Sequence, residues 1–319
     1  ALARPGRRLW RQLRVRTARL FRASRRARAQ RTQHVPRNGL GDLARGLWGG
    51  LRQRPVEPKL WIQRTRFVNV SPARIESRIL AGIRRAKRAG KQPVVLLDID
   101  STLFPTEPRS GAIYHEWARS PESAAFPEAR RLLATLPFEK VPWGHRESLV
   151  ASGLAADHPE LDAATKSLTD FWTKRFFTNE AVAKHDRSYP GASAFVKRLH
   201  DAGARVIYLT GRDKKTMRDG TLASLANNGL PVPGRDKRVE LLMREQGADA
   251  AFKGQVAKRF SSGNQQVVAF VDNEPSNLSA VFRVLPKTMQ VFFHSTHSKE
   301  PATPLQGVYY MKAFPSSAR

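Results

Sequence analysis

Four short, largely apolar runs, at 94–97, 206–209, 267–271 and 290–293, constrain this chain more than any other feature. Each has the length and near-continuous apolarity of a strand buried on both faces. The segments between them carry a helical period instead. Residues 192–202 place Phe195, Val196 and Leu199 on one side and stop at Gly203. Residues 215–227 close at Asn228-Gly229, 252–260 read as a further helix, and 275–284 open on Pro275. A weaker run at 238–242 reads as a strand near the sheet edge. Ahead of the first strand, Ser71-Pro72 forms a helix start, Ile75, Ile79, Leu80 and Ile83 its apolar stripe, and Gly90 its end. Strands alternating with helices predict an α/β fold, a doubly wound parallel sheet with right-handed crossovers.

In such sheets ligands bind beyond the carboxyl ends of the strands. Three of those ends are polar here. The first run leads into Asp98-Ile99-Asp100-Ser101-Thr102, the second into Thr210-Gly211-Arg212, the third into Asp272-Asn273-Glu274. Carboxylates at the ends of buried strands are costly unless a cation compensates them. Each group taken singly has a plainer reading: a turn acid pair, or a threonine N-cap. The ordered set does not.

That set resembles the haloacid dehalogenase (HAD) superfamily of phosphohydrolases over about residues 93–295. Asp-x-Asp-x-Thr after an apolar strand is matched at Asp98, Asp100 and Thr102, the hydroxyl ending the second strand at Thr210, the lysine at a helix start at Lys253, and the final acid at Asp272. Lys258 is the rival for the lysine. The resemblance implies a Rossmann-type core and Mg2+ held by the Asp98 carboxylate, the Asp100 main-chain carbonyl and Asp272. It implies Asp98 as nucleophile, forming an aspartyl-phosphate, and Asp100 as general acid and then base. Thr210, with Gly211 and Arg212 beside it, would bind the phosphate, and Lys253 would offset the charge gathered there. The pattern departs from the family after Asp272, where a second acid is replaced by Asn273. Glu274 and Asn277 both remain candidates for the outer metal ligand.

Between the first two motifs lie residues 103–209, far more than a crossover needs. The stretch 104–188 reads as an inserted helical cap, with helices expected at 113–119, 127–136 and 161–177, leaving 71–103 and 189–319 as the catalytic core. A cap excludes water and bulky substrates, which favours small phosphorylated metabolites. Arg109 would hold a substrate carboxylate or second phosphate, or else form a hinge ion pair with Glu107. Trp143, Phe171, Trp172 and Phe176 read as cap core rather than as a stacking platform. His294 and His297 follow the fourth strand and are weighed as lining residues.

Charge enters because it is extreme: 56 Lys and Arg against 27 Asp and Glu, a net +29. Most of the excess lies before residue 94, where 26 basic residues face three acids. Residues 1–70 therefore read as a basic arm. Three readings fit it: a nucleic-acid-binding tail, an Arg-rich targeting peptide, and sequence outside the native protein. Any nucleic-acid contact is expected through this arm only. The absence of cysteine excludes disulfides, Cys-ligated zinc and a cysteine nucleophile. No run of 18 apolar residues occurs, so no transmembrane segment is expected, and the expected location is the cytoplasm unless the arm directs the chain to an organelle. The sequence thus predicts a capped, Mg2+-dependent phosphatase of a small phosphomonoester. The competing readings are a nucleotide or nucleic-acid-end phosphatase and, in another class, a nucleic-acid-binding protein with an inactive HAD-like domain.

Overall fold

The computed structural model describes residues 54–260 and 262–316, and the part of the basic arm before Arg54 lies outside them. The described chain begins with helix α1 (Pro58–Arg64) and strand β1 (Arg66–Val68). Helix α2 (Pro72–Arg88) follows, capped by the Ser71 side chain accepting from the Arg74 N–H, and then strand β2 (Gln92–Leu97). An all-helical stretch comes next: α3 (Glu107–Arg119), α4 (Pro127–Leu133), α5 (His145–Ala151), α6 (Leu161–Phe176) and α7 (Asn179–His185). The α/β alternation then resumes with α8 (Ala192–Asp201), β3 (Arg205–Asp213), α9 (Lys214–Asn227), β4 (Val239–Arg244) and α10 (Asp249–Arg259). It finishes with β5 (Gln265–Asp272), α11 (Pro275–Val284), β6 (Met289–Phe293) and β7 (Gln306–Met311).

The seven strands form one parallel sheet in the order β1-β7-β6-β5-β2-β3-β4, the α/β architecture expected. Alternate strand residues feed two cores. Val95, Leu97, Val206 and Val271 pack with Ile75, Ile79 and Ile83 of α2 and with Phe195 and Leu199 of α8. Val94, Leu96, Ile207 and Phe270 pack on the other face with Val256 of α10 and Leu278 and Val281 of α11. Burial on both faces explains why the strands read as continuous apolar runs. Among the described residues no helix is long and apolar enough to cross a membrane.

Two features differ from the expectation. The fold begins inside the segment assigned to the arm: Trp61 of α1 is fully buried, its indole N–H donates to the Thr303 carbonyl at 2.8 Å, and its ring meets Phe292 edge-on. The composition break therefore does not mark the start of structure. Helix α10 starts at Asp249 rather than at residue 252, which puts Lys253 in its second turn. The inserted helices α3 to α6 hold a third apolar core of their own, including Ile113, Trp117, Leu149, Leu168 and Phe171.

Candidate active site

Strand register assembles the site. Leu97 of β2 pairs with Val271 of β5 on one side and with Tyr208 of β3 on the other. The next residues, Asp98 and Asp272, therefore leave the sheet side by side, with Thr210 two residues beyond the pairing on the third strand. The chain after Asp98 turns sharply, with Ser101 in the left-handed region (φ 56°) and the Phe104 N–H donating back to the Ile99 carbonyl at 3.0 Å.

Lys253 stands at the centre, 1% exposed. Its ammonium lies 2.6 Å from Asp98 Oδ1, 2.8 Å from Asp272 Oδ2 and 3.1 Å from Asp249 Oδ2. Lys253 rather than Lys258 occupies the site. Two buried carboxylates and the half-buried Asp249 around one ammonium leave negative charge in excess. Burial raises Asp98 to about 8 against the pull of Lys253, with Asp272 and Asp249 adding to the rise. Burial likewise raises Asp272 to about 6, opposed by Lys253. Lys253 itself is held well above its usual range, because the three carboxylates outweigh its own desolvation. Thr102 donates to Asp98 Oδ2 at 2.9 Å and accepts from the Asn273 N–H at 3.1 Å, which ties the β2 loop to the end of β5. Gly211 is needed for close approach: a Cβ there would stand 2.6 Å from Asp249 Oδ1.

Among the described residues no three His, Cys, Asp or Glu side chains are grouped as a metal site. Two carboxylates with an amide and a main-chain oxygen are, however, a sufficient hard donor set for a hydrated Mg2+. The surroundings fit such an ion. The acids are under-compensated, and Asp249 Oδ1 and Asn277 Oδ1 are buried without a hydrogen-bond partner. Of the two outer candidates, Asn277 reaches Asp272, its Nδ2 lying 3.2 and 3.1 Å from the two carboxylate oxygens. Glu274 spends both oxygens on Ser298, accepting from its N–H at 2.7 Å and its hydroxyl at 2.8 Å.

A second charge cluster adjoins the first. Asp100 accepts from Arg212 at 2.7 and 2.9 Å and from Arg109 at 2.8 Å. Both arginines also reach Asp186, each at 2.6 Å. Burial pushes Asp100 up, but Arg212 and then Arg109 outweigh it and hold the carboxyl well below the usual range. Arg109 is fully buried and does not line the cavity: its Nε and Nη2 go to Asp186 and Asp100, its Nη1 has no hydrogen-bond partner, and Glu107 accepts from Thr296. Arg212 does border the cavity, yet its donors go to Asp100, Asp186 and Thr221.

A cavity of about 270 Å³ opens above these groups. Asp98, Asp100, Thr210, Gly211, Arg212, Asp249 and Lys253 line it from the strand side. Trp143, Trp172, Phe176 and Phe177 line it from the inserted helices; of the four aromatic residues read as cap core, Trp143, Trp172 and Phe176 are therefore wall, Phe176 while also in the helical core, and Phe171 is core alone. Neither His294 nor His297 lines it; Thr296 between them does. Sequence reasoning passed over Asp249, Asp186 and Phe177. Asp249 stands one helical turn before Lys253 and was open to detection by that spacing. No local pattern marks the other two.

A family model described as a hydrolase, haloacid dehalogenase-like hydrolase, matches residues 93–280, more than half of the chain. The chain belongs to the haloacid dehalogenase-like hydrolase family. No curated protein matches it. Among solved structures, this HAD-like chain is similar to a candidate phosphatase from Clostridium difficile, with 11% identity, a TM-score of 0.44, and coverage of 70% of this chain and 95% of that one. A haloacid dehalogenase-like hydrolase from Burkholderia xenovorans LB400 gives 16% identity, a TM-score of 0.40, and coverage of 70% and 93%. A predicted phosphoglycolate phosphatase from Haemophilus somnus 129PT gives 14% identity, a TM-score of 0.38, and coverage of 65% and 88%. The HAD-like match ends within α11, so β6, β7 and everything before β2 lie outside it.

Proposed function

We propose that this hydrolase is a Mg2+-dependent phosphatase that cleaves a small phosphomonoester through an aspartyl-phosphate on Asp98, with residues 104–188 acting as a cap. The observation that carries the reading is the cluster of Asp98, Asp249 and Asp272 around Lys253 at the floor of a cavity roofed by the inserted helices. A site built only for stability would not gather three carboxylates against one ammonium.

Asp98, Asp272, the Asn277 amide oxygen and the Asp100 main-chain carbonyl would hold the ion. Bound there, Mg2+ would neutralise the phosphate dianion and favour the ionised form of Asp98. The Asp98 carboxylate then attacks phosphorus, and the bond to the leaving oxygen breaks. Lys253 stays protonated and balances the charge on the nucleophile and on the phosphoryl oxygens. Thr210 of β3 contributes a hydroxyl to the phosphoryl group. Asp100 gives a proton to the leaving oxygen and later takes one from the water that hydrolyses the aspartyl-phosphate. A carboxyl held as low as this one is a reluctant acid and a weak base. The contacts from Arg109 and Arg212 must therefore loosen when substrate fills the cavity. Arg109 sits on the first inserted helix and Asp186 at the end of the last, so cap movement and the state of Asp100 are coupled through them.

The test is turnover of an aryl phosphate by the full chain, with Mg2+ and with chelator. The expected result is Mg2+-dependent release of phosphate that Asp98→Asn abolishes, a loss of at least about a thousandfold as for removal of a nucleophile. Normal turnover by Asp98→Asn would overturn the mechanism.

A further inference from the structure

The cavity also says what the phosphate is attached to. Two of the four large apolar side chains that stand exposed among the described residues are at its lip, Trp143 (54% exposed) and Phe177 (42%). Behind them Trp172 and Phe176 stack at 4.1 Å, and Phe177 meets Trp172 edge-on at 5.3 Å. Arg109 packs its guanidinium 4.4 Å from the centre of the Phe176 ring and braces that wall. Exposed aromatic surface of this extent, rimming a cavity, is unfavourable in water and is covered when a flat apolar group enters.

Charge narrows the choice. Of the two cations bordering the cavity, Lys253 is held by three carboxylates, and Arg212 by Asp100, Asp186 and the Thr221 hydroxyl. On the cap side the charged neighbour is Glu107, whose Oε1 accepts from Thr296 while Oε2 is shielded from solvent and has no partner. A second anion on the substrate would meet this carboxylate, and the arginines released from Asp100 would still be held by Asp186. A hydrogen-bond donor would satisfy it. The volume agrees, since a dry cavity of roughly 150 Å³ accepts a benzene ring, and about 270 Å³ leaves room for a phosphoryl group beside one ring.

We infer that the natural leaving group is an uncharged aromatic ring bearing a hydrogen-bond donor, held between Trp143 and Phe177 with its donor on Glu107. The inference rests on the phosphomonoester reading above, and it removes anionic metabolites such as phosphorylated carboxylic acids from the candidate substrates.

Non-hydrolysable phosphonates test it by binding to the full chain in Mg2+, read by calorimetry. The set is 4-aminobenzylphosphonate, benzylphosphonate, cyclohexylmethylphosphonate and phosphonoacetate, with inorganic phosphate as reference. The expected order runs from the first, tightest, to phosphonoacetate, weakest, with benzyl over cyclohexylmethyl by several-fold to about tenfold, the usual worth of aromatic contact. Trp143→Ala and Phe177→Ala, both at exposed positions, should each erase the benzyl preference. Glu107→Gln should erase only the advantage of the amino group. Equal binding of cyclohexylmethyl- and benzylphosphonate, tight binding of phosphonoacetate, or an unchanged preference in Trp143→Ala would each overturn the inference while phosphate still binds. Failure of every compound, inorganic phosphate included, would overturn the phosphomonoester reading with it.

Discussion

Lys253 is the pivot of the charge cluster, because three carboxylates, two of them buried, depend on one ammonium. The imbalance has a pH signature. Asp98 binds its proton up to about pH 8 in the folded protein without metal, against an ordinary value of 3.8. Between those limits the folded state holds more protons than the unfolded one, so stability falls as pH rises through about 4 to 8. Thermal unfolding in chelator should show melting temperature declining across that window, and Asp98→Asn should flatten the decline; an equal slope in the variant would remove Asp98 as its source. Asp98 and Asp272 were legible in the sequence because each follows an apolar run, and Lys253 because it lies near a helix start; Asp249, one turn before it, was passed over. Arg109 was not, since its partners Asp100 and Asp186 are 9 and 77 positions away and only the fold brings them together.

At the scale of elements, α3 and α7 are joined to the strand ends by the buried Arg109, Asp186 and Arg212 together with the half-buried Asp100. Asp186 is the member that holds both arginines from the cap side. Asp186→Ala leaves two buried guanidinium groups sharing one carboxylate, which should cost about 3–5 kcal/mol of stability by denaturant titration. A loss below about 1 kcal/mol would mean the set is no more than a surface-type pairing. Elements inside the α/β alternation were readable from apolar runs and caps, down to the Ser71 cap of α2. Those outside it were not. Strand β1 is three residues long, too short for a period, and β7 mixes exposed and buried positions around Gly307 at φ 75°. Helices α5 and α7 have seven residues each, and two turns carry little periodic signal.

For the whole molecule, charge and structure have different boundaries. Residues 1–53 carry 15 of the 56 basic residues and one acid, while 54–93 carry 11 more on elements that belong to the fold. If the first segment binds nucleic acid, the full chain should hold single-stranded DNA with an affinity that falls steeply with salt. A chain beginning at Arg54 should show a smaller salt slope; an unchanged slope would place the binding on the fold itself. The edge strand β1 has a different consequence. It pairs only with β7, and Trp61 just before it is anchored by Thr303. During synthesis the N-terminal piece of the sheet therefore has no partner until the last strand has left the ribosome. Such long-range closure is slow, and a nascent chain halted before β7 leaves Trp61 and the β6 edge uncovered. Strand β1 is made long before the strand that seats it, so the time it waits is an interval in which this protein is open to aggregation or to capture by a chaperone.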